Sequence, residues 1–169
     1  MSGDAYPWYS AVSGSDLEQG DIVLSCARVD VQEDGSILRR ESDVVILSHS
    51  CDLAHDKLDS VQVCPIVDLE TLALHMPFFQ SRKGREEMRR GHIPGYHLLN
   101  RCEFTGHEMD FGVCDFRSVF GVHKATLVSQ VESMPSRLRM MPPYREHMAQ
   151  AFARFFMRVG LPIDIPSFR

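Results

Sequence analysis

The sequence predicts a mainly β protein with a C-terminal amphipathic helix, and three observations support this fold class. Ile22–Val31 alternates apolar and polar side chains, as a strand with one buried face does. Residues 44–48 and 61–66 are β-branched runs of strand length. Residues 144–159 repeat apolar side chains at spacings of three and four, between a Pro-Pro start and a glycine stop. The chain of 169 residues has the length of one domain.

The elements are predicted in chain order from turns and periodicity. Asp34-Gly35 supplies the positive φ of a tight turn, so residues 32–36 close a hairpin whose short return strand is 37–40. A helical turn is expected within 68–80, and further strands at 96–104 and 111–120. For residues 122–131 we predict a strand edge that turns into a short helix. The prolines in residues 134–143 predict a linker.

Charge and cysteine content limit the classes of protein. The net charge of −5 and pI near 5.9 argue against strong non-specific nucleic-acid binding, although a local basic groove is compatible with them. The five cysteines are an odd number without CxxC pairs, so we expect reduced thiols in a cytoplasmic protein. The polar N-terminus lacks the layout of a signal peptide, and no apolar run reaches the ~18 residues of a membrane span.

A basic cluster lies in residues 81–91. It contains Arg82, Lys83, Arg85, Arg89 and Arg90, with Met88 as its one apolar side chain. A solvated helix or a mobile loop explains such a run, and a patch that contacts phosphates is the alternative. For that alternative the candidate binding residues are Arg40, Lys57, Arg82, Lys83 and Arg85.

The order of the strand motifs resembles the MazF/PemK family of toxin endoribonucleases. The matching pieces are 20–24 (Gly-Asp-Ile-Val-Leu), 44–48 (Val-Val-Ile-Leu-Ser), 61–66 (Val-Gln-Val-Cys-Pro-Ile) and 116–119 (Phe-Arg-Ser-Val). The resemblance covers roughly residues 19–130 and implies a bacterial protein with an SH3-like β-barrel. We therefore expect an N-terminal arm at 1–14, a barrel domain at 15–133 with the charged insertion 81–91, and a linker and helix at 134–169 packed on the barrel.

The catalytic positions of the family are not matched. The family has a catalytic Arg followed by Pro where this chain has Ser42 and Asp43, and a Thr where this chain has Val67. The resemblance therefore implies the barrel more than the nuclease, and we expect no cleavage of single-stranded RNA by the family's mechanism.

Residues 49–57 are dense in groups that can do chemistry. Cys51 is a candidate nucleophile, with His49 or His55 as its base and Asp52 as the orienting group. His49, Cys51, His55 and Cys64 are alternatively candidate ligands of a zinc ion. A third interpretation is a strand end with a buried cysteine and hydrogen-bonding His and Asp side chains.

These observations leave three classes of function. The first is a binding module for RNA, DNA or a protein partner, without a cofactor and related in fold to the toxin ribonucleases. The second is a metal-binding or cysteine-dependent enzyme centred on residues 49–55. The third is a structural subunit that forms a homodimer through its barrel.

Overall fold

The computed structural model describes residues 6–157. Strands contain 34% of these residues and helices 32%, so the fold is mixed, and the predicted mainly β fold with helices agrees with it in part. The elements are β1 (Tyr9–Val12), β2 (Ile22–Val31), β3 (Ile37–Ile46), α1 (Ser50–Ala54), β4 (Ser60–Asp68), α2 (Leu69–His75), α3 (Arg82–Arg89), β5 (Tyr96–Leu99), β6 (Gly112–Asp115), β7 (Phe120–His123), α4 (Lys124–Glu132), β8 (Arg137–Met140) and α5 (Tyr144–Phe156), with 3₁₀ turns at Pro77–Gln80 and Phe116–Ser118.

Two antiparallel sheets organise the described part of the chain. The larger one has the strand order β2-β3-β4-β6-β5, and β7 pairs with the first half of β4. The smaller one pairs β1 with β8. In the middle of the central strand β4, Val63, Cys64 and Pro65 are buried in succession, so this part of the strand is covered on both faces. The strand pairings among the described residues do not close into a barrel.

The predicted hairpin is confirmed, and its return strand is longer than expected. The Gln32 N–H donates to the Ser36 carbonyl across the turn at 2.8 Å, and Gly35 has φ of +80°. The short strand at 37–40 and the strand at 44–48 form one strand, β3. The polar residues between them do not interrupt it, because the outer half of the hairpin lies beyond the core.

The predicted arm and linker each contain a strand. β1 lies in the arm and β8 in the linker, and they pair with Tyr9 opposite Met140. The carboxylate of Asp21 accepts hydrogen bonds from the Nε atoms of Arg137, at 2.9 Å, and Arg139, at 2.5 Å. Arg137 also donates to the carbonyls of Gly14 and Asp16. This buried network attaches β8 to the start of β2, and its partners are more than 100 residues apart.

The predicted C-terminal helix is present as α5 and packs on the larger sheet. Met148 is fully buried, and Phe152 lies 5.3 Å from Phe116, measured between ring centroids. Phe152 and Phe155 are half-buried. The stretch of the predicted helix beyond Met157 lies outside the described residues.

The charged segment 81–91 is a helix, as one of the two interpretations of its charge predicted. Ser81 caps α3 by accepting from the Gly84 N–H at 3.0 Å. Gly84 and Met88 face the core. A Cβ atom on Gly84 would lie 2.1 Å from the carbonyl oxygen of Phe78, which explains the glycine within this helix. The remaining side chains of α3 keep their charges outside the core.

Candidate functional site

The polar segment 49–57 forms a short helix, α1, rather than a strand end. His49 precedes this helix and caps it, because its Nδ1 accepts from the Cys51 N–H at 3.3 Å. His55 follows it, with its Nδ1 2.6 Å from the Cys51 carbonyl oxygen. Asp52 pairs with Lys57 at 3.4 Å. The side chains predicted to do chemistry therefore make local contacts that fix the loop.

The candidate zinc ligands lie in different parts of the fold. Cys51 is exposed and lines a shallow cleft of about 720 Å³. Cys64 is buried in the core on β4, where a hydrogen bond with Cys114 and burial raise the pKa of its thiol. Within residues 6–157 no group of three or more His, Cys, Asp or Glu residues is placed to hold a metal ion. The nucleophile and zinc hypotheses both remain predictions.

The candidate phosphate-binding residues do not form one patch. Arg40 lies 3.6 Å from Asp30, and Arg85 makes two hydrogen bonds to Glu70, at 2.7 and 2.8 Å. Lys57 is the partner of Asp52, which belongs to α1. Arg82 and Lys83 are exposed on the first turn of α3. The last turn of the same helix, in contrast, borders a large cleft.

This cleft, which we call the α5 cleft, lies between α5, β5 and the connection from α3 to β5. Its volume is about 640 Å³, within the ~300–1,000 Å³ of typical ligand pockets. The residues that give it polar or aromatic character are Trp8, Arg89, Arg90, Tyr96, His97, Phe116, Tyr144, His147, Gln150, Arg154 and Phe155.

The α5 cleft is basic. Arg89 and Arg90 enter it from the end of α3, and Arg154 enters it from α5. Arg89 and Arg90 are paired with Glu86, at 2.7 and 2.9 Å, but that carboxylate does not line the cleft. No Asp or Glu lines the cleft among the described residues. In a chain of net charge −5 such a surface attracts anions locally.

One wall of the α5 cleft is aromatic. Trp8 stacks on Tyr144 with ring centroids 3.8 Å apart and an angle of 11° between the planes. Trp8 comes from the segment before β1, and Tyr144 from the first turn of α5. Trp8 is the one tryptophan of the chain, so tryptophan fluorescence reports on this cleft alone. A flat aromatic surface next to guanidinium groups suits a planar anionic ligand.

His97 is enclosed beside the α5 cleft. Its ring is stacked against Phe116 with centroids 6.3 Å apart, and its Nε2 has no hydrogen-bond partner in the described part of the chain. Burial, and then electrostatic repulsion from the neighbouring His147 and Arg154, lowers the pKa of His97 to about 4. With this pKa the imidazole is neutral at pH 7. A buried polar atom without a hydrogen bond costs ~1–3 kcal/mol, so a ligand that bonded to Nε2 would remove this cost.

Part of this site was visible in the sequence. His147, Gln150 and Arg154 follow one another at spacings of three and four, so they form a polar line along one face of α5. That line runs next to the apolar stripe used to predict the helix. Trp8 and Arg89 come from distant parts of the chain. Only the packing of α3 and β1 around α5 brings these two side chains to the α5 cleft.

A second cleft, of about 440 Å³, lies at the two positions that the sequence analysis compared with the catalytic pair of the toxin family. Ser42 and Val67 both line it. Its charged lining consists of the carboxylates of Glu41, Asp43, Asp68 and Asp115 and the single guanidinium of Arg28. This excess of negative charge repels a phosphate backbone.

Comparison with families of known proteins, with curated proteins and with solved structures finds no match to this chain. Among the helices of residues 6–157, none has both the length and the hydropathy needed to cross a membrane.

Proposed function

We propose that the protein binds single-stranded nucleic acid in the α5 cleft. The observation behind this proposal is the lining of the cleft, where three arginines and an aromatic stack occur together without a carboxylate. Arg89, Arg90 and Arg154 would contact phosphates, and a base would lie on the ring pair of Trp8 and Tyr144. Neither the arginines nor the aromatic pair alone is specific for nucleic acid, but together they match the phosphate and the base of a nucleotide.

A single strand fits this surface better than a duplex. Bases must be unstacked to reach an aromatic wall, and stacking on an aromatic side chain contributes ~1–3 kcal/mol per base. The volume of about 640 Å³ suits one or a few nucleotides rather than a groove-sized element. Gln150, at the rim, adds an amide that can both donate to and accept from a base edge.

We further propose that the fold is a divergent SH3-like barrel related to the toxin ribonucleases. In support, β2, β3 and β4 occur in the order of the family's motifs, and β7 pairs with β4. The carboxylates around Ser42 and Val67 make the corresponding surface unfavourable for RNA. In this proposal the chain keeps a barrel scaffold and binds nucleic acid at a different surface.

Titration of a fluorescently labelled single-stranded oligonucleotide tests the proposed function. Stacking of a base at Trp8 should quench tryptophan fluorescence, and anisotropy should give the Kd. Three phosphate contacts on a single strand predict a salt slope of about −2, so the Kd should weaken about 20-fold between ~50 and ~200 mM salt. The same sequence as a duplex should bind more weakly.

Two arginine variants locate the binding surface. Arg154→Ala should weaken binding and lower the salt slope by about 0.7, because one phosphate contact is lost. Arg101→Ala is the matched control, since Arg101 is exposed, is paired with Glu103 and does not line the cleft. Equal affinity of the two variants would contradict the assignment of the cleft. Failure of RNA and DNA oligonucleotides to bind at low salt would contradict the proposed function itself.

A further inference from the structure

The outer half of the β2–β3 hairpin is exposed and apolar on one face. Val29, Val31 and Ile37 are 60%, 73% and 69% exposed, although their side chains are apolar. All three are β-branched residues, which favour strands. They lie on the same face, because Val31 is opposite Ile37 and Val29 is two residues away along the strand. Aliphatic side chains grouped in this way on a protruding hairpin are typical of an interaction surface.

Residues 26–31 of β2 form an open sheet edge. β2 is the outermost strand of the larger sheet in the described chain. Its first residues are covered, since Asp21 bridges to Arg139 and the side chain of Gln130 donates to the Leu24 carbonyl at 2.7 Å. Beyond Ser25, which has φ of +50°, the register with β3 shifts and the strand continues with no neighbouring strand on its outer side within residues 6–157.

The hydrogen-bond pattern decides which main-chain groups face outward. Gln32 is bonded to Ser36 across the turn, and bonded pairs alternate along an antiparallel ladder. Asp30 and Arg28 therefore face β3 with their N–H and C=O groups. Those of Ala27, Val29 and Val31 face away from it and can pair with another strand.

The charges on β2 favour one register for a second copy of the same strand. In an antiparallel pair with its two-fold axis at Val29, Arg28 of each copy is directly opposite Asp30 of the other. An axis at Arg28 or at Asp30 would instead place like charges opposite each other, which is destabilising. Arg28 and Asp30 already pair within one chain at 2.5 Å, so both side chains lie on the same face of the strand.

We propose that the protein forms a symmetric homodimer through antiparallel pairing of its β2 edges about Val29. About six main-chain hydrogen bonds then join Ala27, Val29 and Val31 of the two copies. Arg28 and Asp30 of the two copies form a square of alternating charge on one face. On the other face, the exposed valines and Ile37 of both copies make one apolar stripe. The interface is isologous and closed, as a two-fold dimer requires.

The expected affinity is moderate because the contact is small. One pair of short strands buries less than the ~1,200–2,000 Å² of a standard interface, so we expect a Kd in the micromolar range. Sedimentation of the full chain, from about 1 to 200 µM, should therefore show a monomer–dimer equilibrium. A protein that is monomeric throughout this range would overturn the proposal.

Charge reversal tests the register without changing the backbone. Arg28→Asp places Asp opposite Asp30, and Asp30→Arg places Arg opposite Arg28, so each variant should dimerise at least ~10-fold more weakly. An equimolar mixture of the two variants should form a heterodimer with about the original affinity, because every pair across the axis is again of opposite sign. This rescue also shows that both variants are folded.

The matched control for the apolar stripe is a variant on α2. Val29→Lys should weaken dimerisation at least ~10-fold, because it places two ammonium groups next to each other at the axis. Leu74→Lys should leave dimerisation unchanged, since Leu74 is also aliphatic and is 76% exposed, but lies away from the hairpin. Unchanged dimerisation of Val29→Lys, or absence of rescue in the mixture of charge variants, would overturn the proposed interface.

Discussion

Replacement of His97 by leucine should make the protein less sensitive to acid. The imidazole is enclosed against Phe116, and its Nε2 has no partner within residues 6–157. Leucine has a similar volume and removes this unpaired atom, so His97→Leu should lose no hydrogen bond of that nitrogen. At pH 7 the free energy of unfolding should therefore change by less than about 1.5 kcal/mol.

The pKa of His97 sets the size of the effect. Burial and electrostatic repulsion from His147 and Arg154 lower this pKa from 6.5 to about 4. Between these pH values the unfolded chain binds a proton at this residue and the folded protein does not, so the free energy of unfolding falls as the pH is lowered. At 1.36 kcal/mol per pKa unit the full window corresponds to ~3 kcal/mol, and the step from pH 7 to pH 5 to about 2 kcal/mol.

Urea unfolding at pH 7 and pH 5 measures this difference. The wild-type protein should lose ~2 kcal/mol more than His97→Leu between the two pH values, because titration of the other groups is common to both proteins. The m-value should stay constant for each protein, as an unchanged amount of exposed surface requires. An equal loss in both proteins would refute the reasoning, since it would mean that His97 titrates alike in the folded and unfolded chains.

Three further predictions concern the rest of the molecule. Asp21→Ala should lower the free energy of unfolding by ~3–5 kcal/mol in chemical denaturation, because it leaves the buried guanidinium of Arg137 without a carboxylate partner, whereas Asp52→Ala on the surface should change it by less than ~1 kcal/mol. Incubation with a mixed-sequence single-stranded RNA should yield no specific fragments, because Ser42 and Val67 supply no charge for the transition state. Specific fragments that still form after the protein has been purified to constant specific cleavage activity would disprove this prediction. Elemental analysis of the purified protein should find less than about 0.1 zinc per chain, since the side chains of 49–57 are used in local contacts, and a stoichiometric metal would restore the enzyme hypothesis.

The local elements were largely predictable, because their causes lie within a few residues. The alternation of β2 depends on a core on one side, and the Asp34-Gly35 turn depends on the positive φ of Gly35. The two pieces of β3 were separated in the prediction because residues 37–43 lack buried side chains. Strand pairing with β2 holds them in an extended conformation, and that pairing is not encoded in the apolar pattern.

The short strands at the ends of the chain were not predictable. β1 and β8 have four residues each, too few for a period to be recognised, although Leu138 and Met140 alternate with Arg137 and Arg139 in β8. Arg137 is buried and Arg139 is partly buried, and both pair with Asp21, more than 110 residues earlier in the chain. A long-range ion network of this kind leaves no local signal in the sequence.

For the candidate site, the sequence alone determined the chemical groups that the chain contains, and the tertiary structure decided which of them meet. The dense segment 49–57 attracted attention because His, Cys and Asp are close in sequence, but side chains so near each other mostly satisfy the ends of their own short helix. The arginines at the end of α3, the tryptophan before β1 and the polar line of α5 are far apart in sequence. They line one cleft because the apolar faces of these elements pack on the same sheet, and burial of those faces brings their polar edges together.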